Sequence, residues 1–305
     1  MVQAHRIKAI AVAGPTAVGK SNIAVSLAER FDGELVGADS MQIYRGFDIG
    51  TGKLTKAECR GIKHWLIDVA DGDADFSVGN YVQAAKAAID DIVGRNKLPI
   101  IVGGTGMYIY SLLSGCNFAN SPKDKNIRDS LKTAAHIFGA KTMHMFLDNV
   151  DRASANNISA NDFKRVCRAL EIFVLSGKAK SQAASFGERP YDALTIVLTL
   201  PRDVLYGRIN ERVHKMFDDG LIEEAKNLSR YKEFGSMQAL GYKQIIENPS
   251  MPRAELEQLV AQKTRNYAKR QMTYFNNMKL DKVFIDARDT ERIENTVKEF
   301  SECTD

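Results

Sequence analysis

Short apolar runs alternate with amphipathic stretches through the first hundred residues. Ile7–Ala13 is a β-rich apolar run, Gly14–Gly19 reads as a loop, and Lys20–Phe31 has helical spacing through Ile23, Leu27 and Ala28. Glu34–Ala38 and His64–Val69 read as a second and a third strand. Ser77 can cap a helix in which Tyr81, Val82, Ala85, Ala88, Ile89 and Ile92 share one face. Leu98–Val102 is a fourth strand, announced by Pro99 and ended by Gly103–Gly104. Strands that are apolar throughout, set between amphipathic helices, predict a parallel sheet covered by helices on both faces.

The pattern changes after Gly115. From about Phe118 to Pro190 the signals are mostly helical, most clearly over Arg128–Ala135 and Asp162–Leu175. Strand character returns at Leu194–Leu200, before Pro201. Helical patterns follow at Asp203–Phe217, at Leu221–Arg230 and from Pro252 to about Lys279. Val283–Ile285 reads as one more strand, and a terminal helix starts near Thr290. The expected architecture is an α/β core over 1–117 and 191–305, with a small helical insertion domain over 118–190 placed at a strand's carboxyl end.

Composition narrows the class. At 305 residues, 44% hydrophobic and 26% charged, the chain has an ordinary globular make-up. The cysteines, Cys59, Cys116, Cys167 and Cys303, form no C-x-x-C pair, and the five histidines show no H-E-x-x-H spacing, so reduced thiols and no protein-built transition-metal site are expected. No apolar run approaches the roughly 18 residues of a membrane span, and the N-terminal apolar run leads straight into a glycine loop. A cytoplasmic protein is expected. The net charge of +4 does not by itself imply nucleic acid. Residues 263–282 carry six Lys/Arg against one Asp, interleaved with Tyr267, Tyr274 and Phe275, which suits either a solvated helix face or a phosphate-contacting one.

The strongest motif is Gly14-Pro15-Thr16-Ala17-Val18-Gly19-Lys20-Ser21, a match to G-x-x-x-x-G-K-[ST] between a predicted strand and a predicted helix. Consecutive backbone N–H groups and a helix N-terminus favour anionic oxygens there. Lys20 adds a full charge, and the Ser21 hydroxyl can hold Mg²⁺. The motif indicates a bound polyphosphate without saying which molecule carries it. A Walker-B strand would end in Asp, whereas Leu98–Val102 ends in Gly103-Gly104-Thr105-Gly106, which argues against a nucleotide hydrolase. The other acid at a strand end is Asp39. There it faces the crevice above the sheet, where it can bind metal, take a proton from a substrate, or simply cap a turn.

Taken together, GPTAVGKS (14–21), ADSMQIY (38–44), DIGTGK (48–53), HWLID (64–68), GGTGMY (103–108), NDFKRVCRALE (161–171), ALGYK (239–243) and TRNYAKRQMTYF (264–275) resemble the tRNA dimethylallyltransferases, or isopentenyltransferases. The likeness runs from about Lys8 to Asp286. Val18, Ser21 and Tyr274 depart from the commoner Ser, Thr and Trp, and no reacting group is lost. The resemblance implies a P-loop NTPase-like core with a small helical domain inserted. It implies that the P-loop holds dimethylallyl diphosphate rather than ATP, and that the acceptor is N6 of the adenosine just 3′ of the anticodon in tRNA.

On that likeness Asp39 is the base. Lys20, Ser21 with Mg²⁺ and the N–H groups of Thr16–Ser21 stabilise the leaving group, joined by Thr105 and Arg212; without the family, Arg212 reads as a surface arginine. The implied tRNA contacts are Asp39, Ser40, Met41, Gln42, Thr105, Arg128, Lys164, Arg165, Val166, Cys167 and Arg168, together with Gln238, Ala239, Leu240, Gly241, Tyr242 and Lys243. Lys164 and Arg168, at i and i+4, share a helix face that can track phosphates or be solvated, and Tyr242 can stack on a base or pack. The anticodon stem-loop, dimethylallyl diphosphate and Mg²⁺ are the expected partners of a monomer. The rival expectations are an adenylate isopentenyltransferase acting on free AMP or ATP, then a small-molecule kinase, then a non-catalytic RNA-binding protein.

Overall fold

The structure is a computed structural model that describes residues 6–117, 123–183 and 185–303. In chain order it contains β1 (Ile7–Ala13), α1 (Lys20–Arg30), β2 (Gly33–Gly37), β3 (His64–Trp65), α2 (Val78–Gly94), β4 (Leu98–Gly103), α3 (Gly106–Leu113) and β5 (Cys116–Asn117). Then come α4 (Lys125–Val150), α5 (Arg152–Asn157), α6 (Phe163–Ser176), α7 (Lys180–Ala183), β6 (Ser185–Phe186) and β7 (Tyr191–Thr199). The chain closes with α8 (Arg202–Asp218), α9 (Leu221–Asn227), α10 (Tyr242–Glu247), α11 (Arg253–Asn277), β8 (Val283–Asp286) and α12 (Thr290–Glu302).

Six strands form one parallel sheet in the order β3-β2-β4-β1-β7-β8. In β1 the last five residues are all buried, as expected of a strand covered on both faces. The core runs through Ile10 and Val12, Leu35, Ile100 and Val102, Ile196 and Leu198 to the inner faces of the helices. Ser77 caps α2 by accepting from the Asn80 N–H, and the buried face of α2 is the Tyr81–Ile92 set expected from spacing.

Two expectations need correction. The third strand stops at Trp65, not Val69, because Leu66 and Asp68 take left-handed backbone (φ +62° and +56°) that cannot continue a strand. Between β4 and Gly115, where the sequence pattern named no element, lies α3, with six of its eight residues buried. The helical region therefore does not start at the carboxyl end of β4: α3 and the short β5 come between.

The described residues divide into two compact units. One takes in the chain up to Leu113 and from Arg189 onward, and carries the sheet. The other is Ser114–Glu188. In it α4 is interrupted at Gly139 (φ +82°, ψ 158°), and Met143, Leu147, Val166, Ala169 and Leu170 form a core of its own. Residues 118–122, where the sequence places the start of this region, lie outside the described residues.

Candidate active site

The first site element is the turn between β1 and α1. Gly19 caps α1 with a left-handed backbone and no side-chain hydrogen bond, so the amides of the first turn are left to other acceptors. Their orientation and the helix dipole favour an anion at this spot. Lys20 folds back so that Nζ donates to the Pro15 carbonyl at 2.6 Å. Burial pushes this ammonium down to about 7, opposed by the Asp39 carboxylate and assisted by Arg212. Val18 is core rather than lining, with its carbonyl accepting from Arg208 at 3.3 Å. The Thr16 N–H is committed to Gln271 Oε1 at 2.9 Å, so it is not among the free donors expected of the loop.

The second element is the turn after β2. Asp39 Oδ1 accepts from the Met41 N–H at 2.9 Å, which folds the turn over the strand ends. The turn is clamped against the start of α3: the Ser40 N–H donates to Thr105 Oγ1 at 3.0 Å, and the Thr105 N–H to the Ala38 carbonyl at 3.0 Å. The Thr105 hydroxyl is thus engaged with Ser40 and lines neither cavity described below. Gly103 makes the clamp possible, since a Cβ there would lie 2.1 Å from the Ala38 carbonyl oxygen.

The third element comes from far along the chain. Arg212, on α8, is not a surface side chain: it reaches inward, donates to the Thr51 carbonyl at 3.2 Å, and lies so close over Gly52 that a Cβ there would sit 2.0 Å from its Nη2. Burial lowers its pKa, and Asp39 opposes that shift. On α11, Gln271 bridges two glycine loops by accepting from Thr16 and donating to the Gly104 carbonyl at 2.9 Å. Tyr267, one turn earlier, has its phenol pushed up by burial and by Asp39. Neither Gln271 nor Tyr267 was assigned a role from sequence, although the 264–275 motif contains both.

These elements enclose two cavities. The smaller, about 70 Å³, is polar and reached by Lys20, Ser21, Gln42 and His64. The larger, about 280 Å³, has an apolar wall that includes Met41, Val213, Met216, Leu221, Leu240 and Val260. Thr16, Asp39, Arg212 and Tyr267 line both. The anion cradle and the apolar chamber therefore meet at Asp39 and Arg212.

Of the residues expected to touch tRNA, Asp39, Ser40, Met41, Gln238, Ala239 and Leu240 line the larger cavity. Gln42 spans to the carbonyls of Thr51 and Gly52. Gly241 N–H is held by Gln244 and Lys243 by Gln238. Tyr242 is fully buried, stacks on no exposed face, and bonds through its hydroxyl to Glu224 and the Gly50 N–H, so it packs.

In the helical unit Val166 and Cys167 are buried on the inner face of α6. Arg128 and Arg168 both grip Glu171, which has no exposed surface. Burial works to raise the Glu171 carboxyl, yet hydrogen bonds from Arg168 and the Asp124 N–H, with the charges of both arginines, hold it below the ordinary range. Lys164 and Arg165 are exposed, Arg165 beside Asp162.

The sequence model described as IPP transferase matches residues 42–278. A tRNA dimethylallyltransferase from Exiguobacterium sp. is 42% identical over 91% of this chain and 89% of its own length. One from Bacillus mycoides is 42% identical over 96% and 94%. Among solved structures, the tRNA isopentenylpyrophosphate transferase of Bacillus halodurans aligns at a TM-score of 0.72 and 37% identity, covering 97% of each chain. A eukaryotic dimethylallyltransferase acting on tRNA aligns at 0.82 and 28%, covering 97% of this chain and 77% of that one. The family match spans well over half of the sequence and the relatives nearly all of it: this chain belongs to the IPP transferase family.

Proposed function

We propose that the protein transfers the dimethylallyl group of dimethylallyl diphosphate to N6 of the adenosine just 3′ of the anticodon in tRNA, releasing diphosphate. The observation that carries this reading is the meeting of a polar and an apolar cavity at Asp39 and Arg212. A diphosphate suits the first, and a five-carbon chain with a flat purine suits the second.

The chemistry follows from that arrangement. An exocyclic amine is a poor nucleophile because its lone pair is delocalised into the ring. As N6 bonds to the allylic carbon, the carbon–oxygen bond breaks and its electron pair leaves with the diphosphate. Asp39 takes the proton that N6 loses. Lys20, Arg212 and the first amides of α1 face the oxygens on which charge grows, and they are already desolvated and oriented. The Ser21 hydroxyl and the Asp39 carboxylate, which line the same polar cavity, make a small hard-oxygen donor set. It suits Mg²⁺, which takes few protein ligands alongside substrate phosphates. Ser21 would hold the ion, which would offset charge on the departing diphosphate. Thr105 acts by holding the Ser40 backbone, hence the Asp39 turn.

The acceptor base must leave the anticodon-loop stack to reach N6 chemistry in a closed chamber. Ser40, Met41 and the 238–240 segment line the route it would take. Exposed Lys164 and Arg165 are the side chains of the helical unit best suited to phosphates, and this unit serves as the tRNA-gripping domain in our reading. The names of the relatives favour tRNA over free AMP. Purified protein with Mg²⁺ and labelled dimethylallyl diphosphate should label unmodified tRNA and leave AMP unlabelled. Label on AMP alone would transfer the assignment to an adenylate prenyltransferase.

A further inference from the structure

His64 is the first residue of β3, fixed by pairing with Leu35 on the strand that leads to Asp39. His64 lines the polar cavity with Lys20, Ser21 and Asp39, and also an outer cavity of about 370 Å³ lined by Cys59, Ile62 and Ile67. The residue therefore stands between the anion cradle and the outer cavity. Its Nε2 is fully buried and has no hydrogen-bond partner in the protein. Four other polar side chains of the cradle are engaged: Lys20 on Pro15, Gln42 on Thr51 and Gly52, Gln271 on Thr16 and Gly104, and Asp39 on Met41. Among the described residues the Tyr81 hydroxyl is the other buried side-chain group without a partner, and it is stacked on Tyr108 away from both cavities.

A buried polar nitrogen without a partner is costly, and such atoms in native proteins call for an explanation. We propose that His64 is a further catalytic residue, whose Nε2–H donates to an oxygen of the diphosphate as the allylic C–O bond breaks. The proposal rests on the transfer reading above. The electron pair of that bond goes to the diphosphate, and His64 keeps its proton, so no other reactant is needed. Burial pushes the imidazole down to about 4. Near neutral pH it is therefore an uncharged donor, and it adds a hydrogen bond without a further cation beside Lys20 and Arg212. A bound anionic oxygen selects the tautomer with the proton on Nε2.

The test is the affinity for inorganic pyrophosphate, by calorimetry with Mg²⁺, in the wild type, His64→Ala and His64→Gln, alongside single-turnover prenyl transfer to tRNA. A hydrogen bond to a charged group implies that His64→Ala weakens pyrophosphate binding about tenfold or more and slows transfer at least as much. His64→Gln, whose amide can reach the same place, should recover most of the affinity. A folded His64→Ala that binds pyrophosphate within twofold of wild type overturns the assignment, and so does a His64→Gln as weak as His64→Ala. A wild type that moves no prenyl group to tRNA overturns the transfer reading. An active wild type with an indifferent His64→Ala overturns the His64 role alone.

Discussion

Lys20 is a cation placed where a cation is costly, and that conflict can be measured. Its folded value of about 7 lies below the ordinary 10.5 because the ammonium is buried. The unfolded chain therefore binds a proton that the folded chain lacks between those limits. The resulting contribution to stability is full above 10.5 and is lost as pH falls through about 7. Replacing Lys20 by Met should raise the melting temperature at pH 6 and flatten its rise between pH 7 and 9, as followed by calorimetry. A bound diphosphate supplies the missing counter-charge and should restore the proton. Pyrophosphate binding at pH 8 should take up a proton in the wild type that Lys20→Met does not, visible in buffers of different ionisation enthalpy. Asp39 has the complementary task. Asp39→Asn keeps the Oδ1 that accepts from Met41 but cannot take the N6 proton. Single-turnover transfer should fall roughly 10²–10⁴-fold while tRNA affinity stays within a few-fold. Transfer near the wild-type rate would remove Asp39 as the base.

At the scale of elements, the site depends on strand ends and helix starts held at fixed spacing. Gly103→Ala would push a methyl group into the Ala38 carbonyl that anchors the Asp39 turn. Overpacking of this kind costs about 1–3 kcal/mol. Urea unfolding should show that loss, with a parallel loss of transfer. In the helical unit Glu171 joins α6 to α4 through Arg128, with Arg168 of its own helix as a second partner. Glu171→Ala leaves two partly solvated arginines without their acid, so the loss should be roughly 1–3 kcal/mol. Arg128→Ala should likewise act through stability. By contrast, exposed Lys164→Ala should leave stability unchanged and lower the salt slope of tRNA binding by about one unit.

Much of this scaffold was legible in the sequence because its periodicity is strong. β1 and the buried face of α2 followed from apolar runs and spacing, and the phosphate turn from its motif. β3 ended early because a left-handed Leu66 and Asp68 leave no mark on hydropathy. α3 was hidden because burial on nearly every side removes amphipathic contrast. Gln271, Tyr267 and His64 could not be placed from spacing, since what gives them meaning is contact across the fold. The same holds for Arg212, which sequence alone leaves on the surface, and for Tyr242, whose burial only packing reveals.

For the whole molecule, the account requires two substrates to meet inside one closed space, each entering a cavity of different chemistry. The tRNA is then a lever that brings one base to the chamber, and the parallel sheet is a frame that holds the diphosphate still. The most direct measurement is a crystal structure with a non-reacting thio-analogue of dimethylallyl diphosphate and an anticodon stem-loop. The account predicts the diphosphate on the 14–21 turn within reach of Lys20 and Arg212, the prenyl carbon beyond it, and adenine N6 within hydrogen-bond distance of the Asp39 carboxylate. ATP filling both cavities in preference to the prenyl donor, or an adenine held away from Asp39, would contradict it.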